Sequence, residues 1–302
     1  MRTQFCDAMV ARAVNPKMVF FTGDLGFMAL ERLQTAMCSR FINAGVAEQN
    51  MISVSAAMAR EGFEAWAYSI APFCYARPFE QIRNDVCFHN LPVKLVGNGG
   101  GYGYGVMGPT HHAIEDYGVL LAFSNMTVFV PIFDEDLYRV VEIMGNLNGP
   151  AYLRLGRGES PQGRDIPSYS PWRQLTSGNG MVVIAVGPLA GSYLASCLML
   201  SVEARPNLWA LAELPLSRNG LPVELLRQIV EGPGVCVAEE HVARGGFGAE
   251  LALHLAERGI HPARYRHLHA RSHQYERYGS QSYLRAQSGL DTKALLSAIF
   301  AD

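Results

Sequence analysis

Short runs of β-branched and aromatic residues alternate with longer stretches of helical period along this 302-residue chain. Parallel strands need a crossover connection, usually a helix, before the next strand can pair. The alternation therefore predicts an α/β protein with parallel sheets. The predicted strands are residues 19–21, 64–69, 93–96, 127–130, 151–154, 181–186, 208–212, 234–239 and 264–268. The predicted helices are residues 3–14, 46–61, 72–87, 113–121, 134–147, 189–202, 222–231, 246–258 and 291–300.

The length of the chain suits two domains. At about 150 residues per domain, 302 residues supply two units that can each bury a core of their own. The segment 159–180 is rich in Pro, Gly and Ser and shows no sustained period, which indicates a linker. We therefore predict a first domain over residues 1–158 and a second domain over residues 181–302.

The charge composition narrows the kinds of partner that this chain can bind. The 25 basic and 27 acidic residues give a net charge of −2 at pH 7, so neither nucleic acid nor an anionic membrane surface is expected as a partner. Charged residues make up 17% of the chain, whereas about 25% is usual for soluble domains. So low a charged fraction suggests that another protein chain covers part of the surface.

Two further sequence features bear on location. No apolar stretch reaches the roughly 20 residues needed to cross a bilayer, and the first seven residues contain no apolar core of a signal peptide. The six cysteines include no C-x-x-C pair, which favours reduced thiols over disulfides or zinc ligands. We expect a cytoplasmic protein that holds no metal through its own side chains.

Glu48 is the most informative candidate for a functional carboxylate. It lies in the first turn of the helix predicted to begin near Val46, and small residues follow it at Ala56, Ala57 and Ala59. A glutamate in a first turn complements the positive end of the helix dipole, which is a structural role. The functional alternative is a carboxyl held in an apolar setting, where it hydrogen-bonds a nitrogen of a ligand. The small neighbours suit close approach by a flat ring.

A glycine-rich segment follows the strand predicted at 93–96. The spacing of Gly101 and Gly103 is similar to part of a dinucleotide-binding fingerprint. Pro109 and the neighbouring glycines delay the next helix, however, so no helix N-terminus stands where a pyrophosphate needs one. The segment instead predicts a loop that carries His111 or His112 to the carboxyl ends of the parallel strands, where open α/β sheets bind ligands.

Several other residues have a structural and a functional interpretation. Phe73 and Tyr75 are either core aromatics or a platform on which a ligand ring stacks. Arg154 and Arg157, at the end of a predicted strand, are either solvated linker charges or a clamp for an anion. The remaining set consists of histidines without metal-ligand spacing, which we interpret as surface residues. They are His267, His269 and His273.

Five short segments occur together in one order. They are the runs GVAEQN at 45–50, FEQIRN at 79–84, GPTHHAIED at 108–116, AEEH at 238–241 and GGFG at 245–248. In order and spacing they resemble the C-terminal half of transketolases, over nearly the whole chain. The resemblance is best to the split type, in which one subunit carries a pyrimidine-binding domain and a C-terminal domain. It implies two parallel-sheet α/β domains of that kind.

The resemblance implies roles for five residues. Glu48 matches the glutamate that hydrogen-bonds N1′ of the thiamine diphosphate aminopyrimidine and so tunes the cofactor. Phe73 matches the second aromatic residue of the S-T-F-x-x-F stretch that stacks on the pyrimidine, although the first aromatic position reads Ile in this chain. His111 matches the histidine that faces the substrate oxygen. Arg2 and Arg157 fall where the family places arginines for a sugar phosphate.

Two positions depart from the family's pattern. Met107 replaces the usual Asp before G-P-T-H, which contacts a substrate hydroxyl, and Gly99 replaces a histidine that contacts substrate in many members. Both changes remove polar groups that pair with a sugar, and a site discriminates by hydroxyl recognition only while such groups exist. We therefore expect Met107 to line a substrate site for something other than the standard pentose phosphate pair.

A missing motif implies a partner. The family holds Mg²⁺ and the diphosphate with G-D-G, followed some two dozen residues later by N, and this sequence has only Gly23-Asp24-Leu25. The resemblance therefore implies that an alpha-type subunit carries the diphosphate-binding domain and holds the metal, in an α2β2 heterotetramer.

Together these observations predict the beta-type subunit of a two-component enzyme that transfers a two-carbon ketol unit from a ketose or 2-oxo donor. Two alternatives stay open. One is the beta subunit of a 2-oxo acid dehydrogenase first component, or a hybrid that passes a two-carbon unit to a carrier-protein thiol. The other is a non-catalytic partner that regulates the alpha-type subunit.

Overall fold

The computed structural model describes residues 1–158, 166–274 and 276–301, and these form two mostly parallel sheets with helices on their faces. The predicted α/β class is therefore confirmed. The strands are β1 Met18–Thr22, β2 Phe41–Asn43, β3 Glu64–Ile70, β4 Lys94–Asn98, β5 Thr127–Phe129, β6 Ala151–Leu155, β7 Trp172–Gln174, β8 Val182–Val186, β9 Asn207–Leu211, β10 Glu213–Leu214, β11 Val235–Glu239 and β12 Tyr265–His269.

Helices connect most of these strands. The α-helices are α1 Arg2–Arg12, α2 Glu31–Met37, α3 Glu48–Arg60, α4 Ala71–Tyr75, α5 Phe79–Gln81, α6 Asp116–Leu120, α7 Leu137–Asn146, α8 Leu189–Leu198, α9 Leu216–Asn219, α10 Val223–Glu231, α11 Phe247–Glu257, α12 Gln281–Ser288 and α13 Thr292–Phe300. Short 3₁₀ turns and one π-helical turn complete the set. They are the 3₁₀ turns Cys38–Arg40, Gly105–Met107, Pro109–His111 and Asp134–Asp136, and the π turn Ile82–Cys87.

The first sheet has the strand order β10-β5-β6-β4-β3-β1-β2 and is parallel except for β10. Its strands are covered on both faces, as all-parallel sheets usually are. In β1, Val19 and Phe21 pack into one hydrophobic cluster, whereas Met18 and Phe20 pack into another on the opposite face. This is why the strand reads as a continuous apolar run rather than an alternating one.

The second sheet has the order β12-β11-β8-β9-β7, with β7 antiparallel to β9. β7 lies inside the segment 159–180 that the sequence indicates as a linker, and residues 159–165 of that segment lie outside the described residues. The chain then returns to the first sheet, because β10 pairs with β5 in the register Glu213 with Phe129. A strand from the second half of the chain therefore forms one edge of the first sheet.

Some predicted elements differ from the observed ones. The helix expected over 72–87 is divided into α4, α5 and a π turn, because Pro78 lacks the N–H that a continuous helix needs. The short elements α2 and β2 and the polar helix α12 were not predicted. α12 does carry a sequence signal, since the Ser280 side chain accepts a hydrogen bond from the backbone N–H of Tyr283 and so caps the helix.

The two halves of the chain meet through buried charges. Arg154 is only 5% exposed, and its guanidinium forms an ion pair with Asp116 at 2.9 Å and donates to the backbone carbonyl of Glu240 at 2.8 Å. The interpretation of Arg154 as a solvated charge or an anion clamp is therefore wrong. Across the same boundary, Arg173 donates to both oxygens of Asp136 at 2.6 and 2.8 Å.

The cysteines and the helices were compared with the sequence expectations. Five of the six cysteines are buried, and Cys38 is exposed. Among the described residues, no helix is both long enough and apolar enough to span a bilayer.

Candidate functional site

The candidate residues gather at the carboxyl ends of strands in the first sheet. β2 leads to Glu48, β3 to Phe73, β4 to Gly99 and β6 to Arg157. Because the carboxyl ends of parallel strands lie at one edge of a sheet, the topology brings together residues that are more than 100 positions apart. The loop after β4 adds His111 at this edge, as the sequence predicts.

Glu48 is the first residue of α3 and is only 4% exposed. Its side chain lies beside the ends of β1 and β3: a Cβ placed on Gly23 would be 3.8 Å from Glu48 Cγ and 3.5 Å from Ser69 Oγ. The chain reaches this position through Gly45, whose φ of +71° is a conformation that glycine adopts without strain.

Arg77 connects Glu48 to two aromatic rings. Its Nη1 donates to Glu48 Oε1 at 2.9 Å, and its Cζ lies 3.9 Å from the centroid of the Phe73 ring. The Phe73 ring in turn meets the ring of His111 edge-on, with centroids 5.1 Å apart. Glu48, Phe73 and His111, which were predicted separately, therefore belong to one site, and Arg77 joins them.

The protonation of His111 is set by its surroundings. Partial burial and then the positive charge of Arg77 lower the pKa of this imidazole below its ordinary value. Its Nδ1 is 2.9 Å from the hydroxyl of Thr110. The imidazole of His111 is therefore mainly neutral at pH 7. Its Nε2 accepts a hydrogen bond in the tautomer in which Nδ1 donates to Thr110, and donates one in the other tautomer.

The Arg77→Gln variant is expected to raise the pKa of His111 towards the ordinary histidine value of about 6.5, because the variant removes the nearby positive charge. An NMR pH titration of the histidine ring signals in wild type and variant measures this shift. Arg60→Gln, at an exposed position on α3, is the charge-matched control and leaves the titration unchanged. An unchanged midpoint in Arg77→Gln would contradict the assigned cause.

A cavity of about 470 Å³ adjoins this cluster and contains the other predicted substrate residues. Arg2, Met107 and Arg157 all line it. Tyr104 also lines the cavity and connects it to the first cluster, since its ring centroid is 6.3 Å from that of His111. The substrate residues Arg2, Met107 and Arg157, predicted from the sequence, therefore line one cavity. That they contact a substrate stays a prediction.

Tyr104 occupies the space beside Gly99. A Cβ added to Gly99 would collide with the Tyr104 ring, and Gly99 has a φ of +79°. The Tyr104 hydroxyl accepts a hydrogen bond from Asn98 Nδ2 at 2.5 Å. The space that a side chain at position 99 would need is therefore filled by an aromatic ring supplied from five residues further on.

Tyr75 has a different environment from Phe73. Its side chain is 7% exposed, and its hydroxyl donates to Glu115 Oε2 at 3.4 Å. Glu115 also pairs with His273 Nε2 at 2.6 Å. The contact of Tyr75 with a cofactor stays a prediction, because this side chain packs in the core of the first domain.

The C-terminal histidines are not plain surface residues, and that interpretation is wrong. His267 and His273 are partly buried, and Nε2 of each is 2.6 Å from a glutamate, Glu239 and Glu115 respectively. His112 is buried against His273, and burial and that neighbour lower its pKa to about 4. The loop after β4 therefore presents His111 to the site and His112 to the core.

Sequence reasoning did not identify Arg77, Tyr104 or Ser69. A signal existed for Arg77, which follows Phe73 by four residues, so that the two side chains fall on one face if the segment is helical. Ser69 Oγ is buried and has no hydrogen-bond partner among the described residues. An unsatisfied hydroxyl close to Glu48 is what a polar ring of an absent ligand would complete.

These features fit the pyrimidine end of thiamine diphosphate. A buried carboxylate, an unsatisfied hydroxyl and the Phe73 ring offer hydrogen bonds and an apolar face to a flat, nitrogen-containing ring. Among residues 1–158, 166–274 and 276–301, no group of three or more His, Cys, Asp or Glu side chains is placed to hold a metal ion.

Comparison with known proteins agrees with this geometry. Residues 4–162 match the family described as "Transketolase, pyrimidine binding domain". The chain is similar to a subunit of the apulose-4-phosphate transketolase from Actinobacillus succinogenes, with 28% identity over 85% of this chain and 83% of that protein. It is also similar to 1-deoxy-D-xylulose-5-phosphate synthase 2 from Geobacter sulfurreducens, with 31% identity over 86% of this chain but 42% of that protein.

Solved structures show the same similarity. A split-gene transketolase, described as an inactive β4 tetramer, superposes with a TM-score of 0.81 and 28% identity over 99% of this chain and 96% of that one. The transketolase from Leishmania mexicana superposes with a TM-score of 0.78 at 17% identity, over 99% of this chain and 44% of that chain, and so shows the shared fold.

Proposed function

Because this chain belongs to the family with the transketolase pyrimidine-binding domain, we propose that it is the beta-type subunit of a two-component enzyme that depends on thiamine diphosphate. The enzyme transfers a two-carbon ketol unit from a ketose or 2-oxo donor to an acceptor other than the standard pentose phosphate pair. The observation that carries this proposal is the buried carboxylate of Glu48, aligned with the Phe73 ring and His111 at the carboxyl edge of the sheet.

Each residue has a distinct role in this proposal. Glu48 holds or releases a proton in a hydrogen bond with N1′ of the aminopyrimidine, and Phe73 stacks on that ring. When bound, thiamine diphosphate supplies a site that stabilises negative charge on the transferred carbon unit. His111 is neutral near pH 7 and hydrogen-bonds a substrate oxygen. Arg2 and Arg157, in the adjoining cavity, bind the anionic end of the substrate.

An alpha-type subunit completes the site in this proposal. Apolar side chains in the segments after β1 and β2, at the sheet edge that carries Glu48, are largely exposed: Phe27 is 80% exposed, Met28 94% and Val46 72%. Exposed apolar groups clustered beside a polar site are typical of a protein interface. The relative that is itself a transketolase subunit and the split-gene structure support a multi-subunit assembly. The partner holds Mg²⁺ and the diphosphate in an α2β2 heterotetramer.

The affinity for thiamine diphosphate tests whether the two subunits share the cofactor contacts in this way. The isolated chain offers only the pyrimidine contacts, so we expect it to bind thiamine diphosphate with Mg²⁺ at least about 100-fold more weakly than the reconstituted complex. That difference corresponds to about 2.7 kcal/mol of binding free energy. Isothermal titration calorimetry of the chain alone and of the complex measures it. Equally tight binding by the isolated chain would overturn the proposal that a partner holds the diphosphate.

A non-catalytic partner role is the competing function. Such a subunit has no need for Glu48, Phe73 and His111 to be positioned together, whereas the structure brings all three within one hydrogen-bond and ring-contact network. The arrangement therefore favours catalysis, and substitution of Glu48 in the assembled enzyme distinguishes the two functions.

A further inference from the structure

We propose that the surface formed by Tyr104, Val106 and Met107, hereafter the apolar wall, selects an anionic acceptor aldehyde with no hydroxyl on the carbon next to its carbonyl. The inference rests on the proposed function, because it names the class of acceptor used at that same site. It is carried by the composition of the 470 Å³ cavity and by the way in which the fold holds the wall in place.

The charges around the cavity favour an anion. Arg2 and Arg157 both line it, and no acidic side chain belongs to the part of its lining that the structure describes. The acceptor therefore carries a negatively charged group, such as a phosphate, which two guanidinium groups can bind. The polarity of the other lining residues then determines which functional groups the rest of the acceptor carries.

Besides the arginines, the described lining has the polar side chains of Thr3 and Asn98, and the apolar wall supplies its large apolar surface. Val106 is 68% exposed and Met107 54% exposed, and both line the cavity together with the Tyr104 ring. The Tyr104 hydroxyl is already hydrogen-bonded to Asn98. A substrate hydroxyl set against the Val106 and Met107 side chains would lose water without gaining a strong hydrogen-bond partner, which weakens binding.

The turn that carries the wall is fixed by close contacts with the second domain. A Cβ on Gly105 would lie 2.6 Å from the carbonyl oxygen of Gly279 and 2.6 Å from Leu284 Cδ1, so this backbone packs directly on the start of α12. On the other side, Gly108 packs against the Tyr278 ring and has a φ of +81°. The 3₁₀ turn Gly105–Met107 is thus held between two glycines that admit no side chain, and the wall is preorganised.

Gly99 also contributes to the position of the apolar wall. The Tyr104 ring fills the space that a side chain at position 99 would need. Restoring a polar residue at position 99 alone would therefore create a clash rather than a hydroxyl-binding group. Gly99 with the Tyr104 ring beside it, together with Met107, therefore gives this side of the cavity a mostly apolar surface.

The transfer itself needs no further reactant. A carbon–carbon bond forms between the ketol unit and the acceptor's carbonyl carbon, and the carbonyl oxygen takes up one proton to become a hydroxyl. In a ketose donor the bond between C2 and C3 breaks, and the C3 hydroxyl loses its proton to leave an aldehyde. In a 2-oxo acid donor the bond between C1 and C2 breaks to leave carbon dioxide, and the proton comes from water. Electrons balance in both cases without an oxidant or reductant. The apolar wall affects which aldehyde enters this step and leaves the bonding change the same.

Two unreactive analogues test the wall by binding alone. 3-Hydroxypropyl phosphate and glycerol 3-phosphate differ only in the hydroxyl at the central carbon. In calorimetry with the complete α–β complex, we expect the first to bind about tenfold more tightly, because an apolar pocket rejects an added hydroxyl by at most about a hundredfold. In Met107→Asp the order is expected to reverse, because the carboxylate accepts a hydrogen bond from the added hydroxyl.

Control variants separate the wall from general effects of charge. Met107→Leu keeps the apolar surface and the wild-type preference. Met199→Asp places the same charge at a methionine that is 88% exposed in the second domain, and it leaves the preference unchanged. Equal affinities in the wild-type complex, tighter binding of glycerol 3-phosphate, or no binding of either analogue at millimolar concentration would overturn the apolar wall.

A turnover assay distinguishes failure of the proposed ketol transfer from failure of the proposed selection by the apolar wall. D-Glyceraldehyde 3-phosphate and 3-oxopropyl phosphate, the reactive counterparts, are compared as acceptors by their kcat/KM values. Transfer to both aldehydes without the expected tenfold preference would overturn the apolar wall and leave ketol transfer intact. A tenfold binding preference without transfer to any aldehyde would support the wall and contradict the proposed function.

Discussion

Glu48→Gln in the assembled enzyme is expected to lower kcat by about 10²- to 10⁴-fold, the range that a positioned proton-transfer group contributes. The carboxylate is buried, and its described hydrogen bond is to Arg77. A glutamine keeps the volume and one oxygen, but it cannot hold or release the proton that the aminopyrimidine nitrogen requires. Glu48→Ala is expected to lose at least as much activity. Steady-state turnover of the reconstituted complex measures both effects.

The matched control for this substitution lies at the other end of the same helix. Glu61, the residue that follows α3, is exposed, and Glu61→Gln makes the same chemical change outside the site. It should leave kcat unchanged. Size-exclusion chromatography with light scattering verifies that each variant assembles with the partner. Full assembly of Glu48→Gln with unchanged turnover would support the non-catalytic role and contradict the proposed function.

Arg154→Met is expected to lower the free energy of unfolding by about 3–5 kcal/mol, the range observed when one partner of a buried ion pair is removed. Asp116 is fully buried and would lose the guanidinium that pairs with its carboxyl group. The substitution also removes the hydrogen bonds from Arg154 to the backbone carbonyls of Ala113 and Glu240, and the second of these connects the two halves of the chain. Chemical denaturation of the isolated chain measures the loss.

Two further variants make this stability prediction specific. Arg139 and Glu142 form an ion pair in which both side chains are more than half exposed, so Arg139→Met should cost less than about 1 kcal/mol. The double variant Asp116→Leu with Arg154→Met removes both buried charges and should recover part of the lost stability. A loss below about 1 kcal/mol in Arg154→Met would show that the buried pair does not contribute as proposed.

The sequence could predict the strands because a parallel sheet buried on both faces has a simple signature. All five residues of β8 are buried, and the run Val182–Val186 is apolar throughout. The boundaries of α10, α11 and α13 were predicted within one residue, whereas α8 ends four residues before its predicted end at residue 202. Short elements were missed, because α2 and β2 contain too few residues to show a period.

Site residues could be predicted from the sequence only at positions where the chemistry requires one particular residue type. Glu48, Phe73 and His111 could be identified by their segments, but their mutual contacts depend on three strands ending at one edge of a sheet. Arg154 shows why the rest could not be predicted. Its sequence neighbours are apolar, and nothing in them indicates that Asp116, 38 positions earlier, would supply the compensating charge in the folded chain.

The pairing of β10 with β5 makes each half of this protein dependent on the other. If the chain were divided after residue 158, β5 would become an exposed edge strand with unpaired backbone N–H and C=O groups. Such an edge strand can recruit a foreign strand and aggregate. The two sheets are therefore poor candidates for exchange between proteins as independent domains. Separating them during evolution would require another segment to protect the exposed edge of β5.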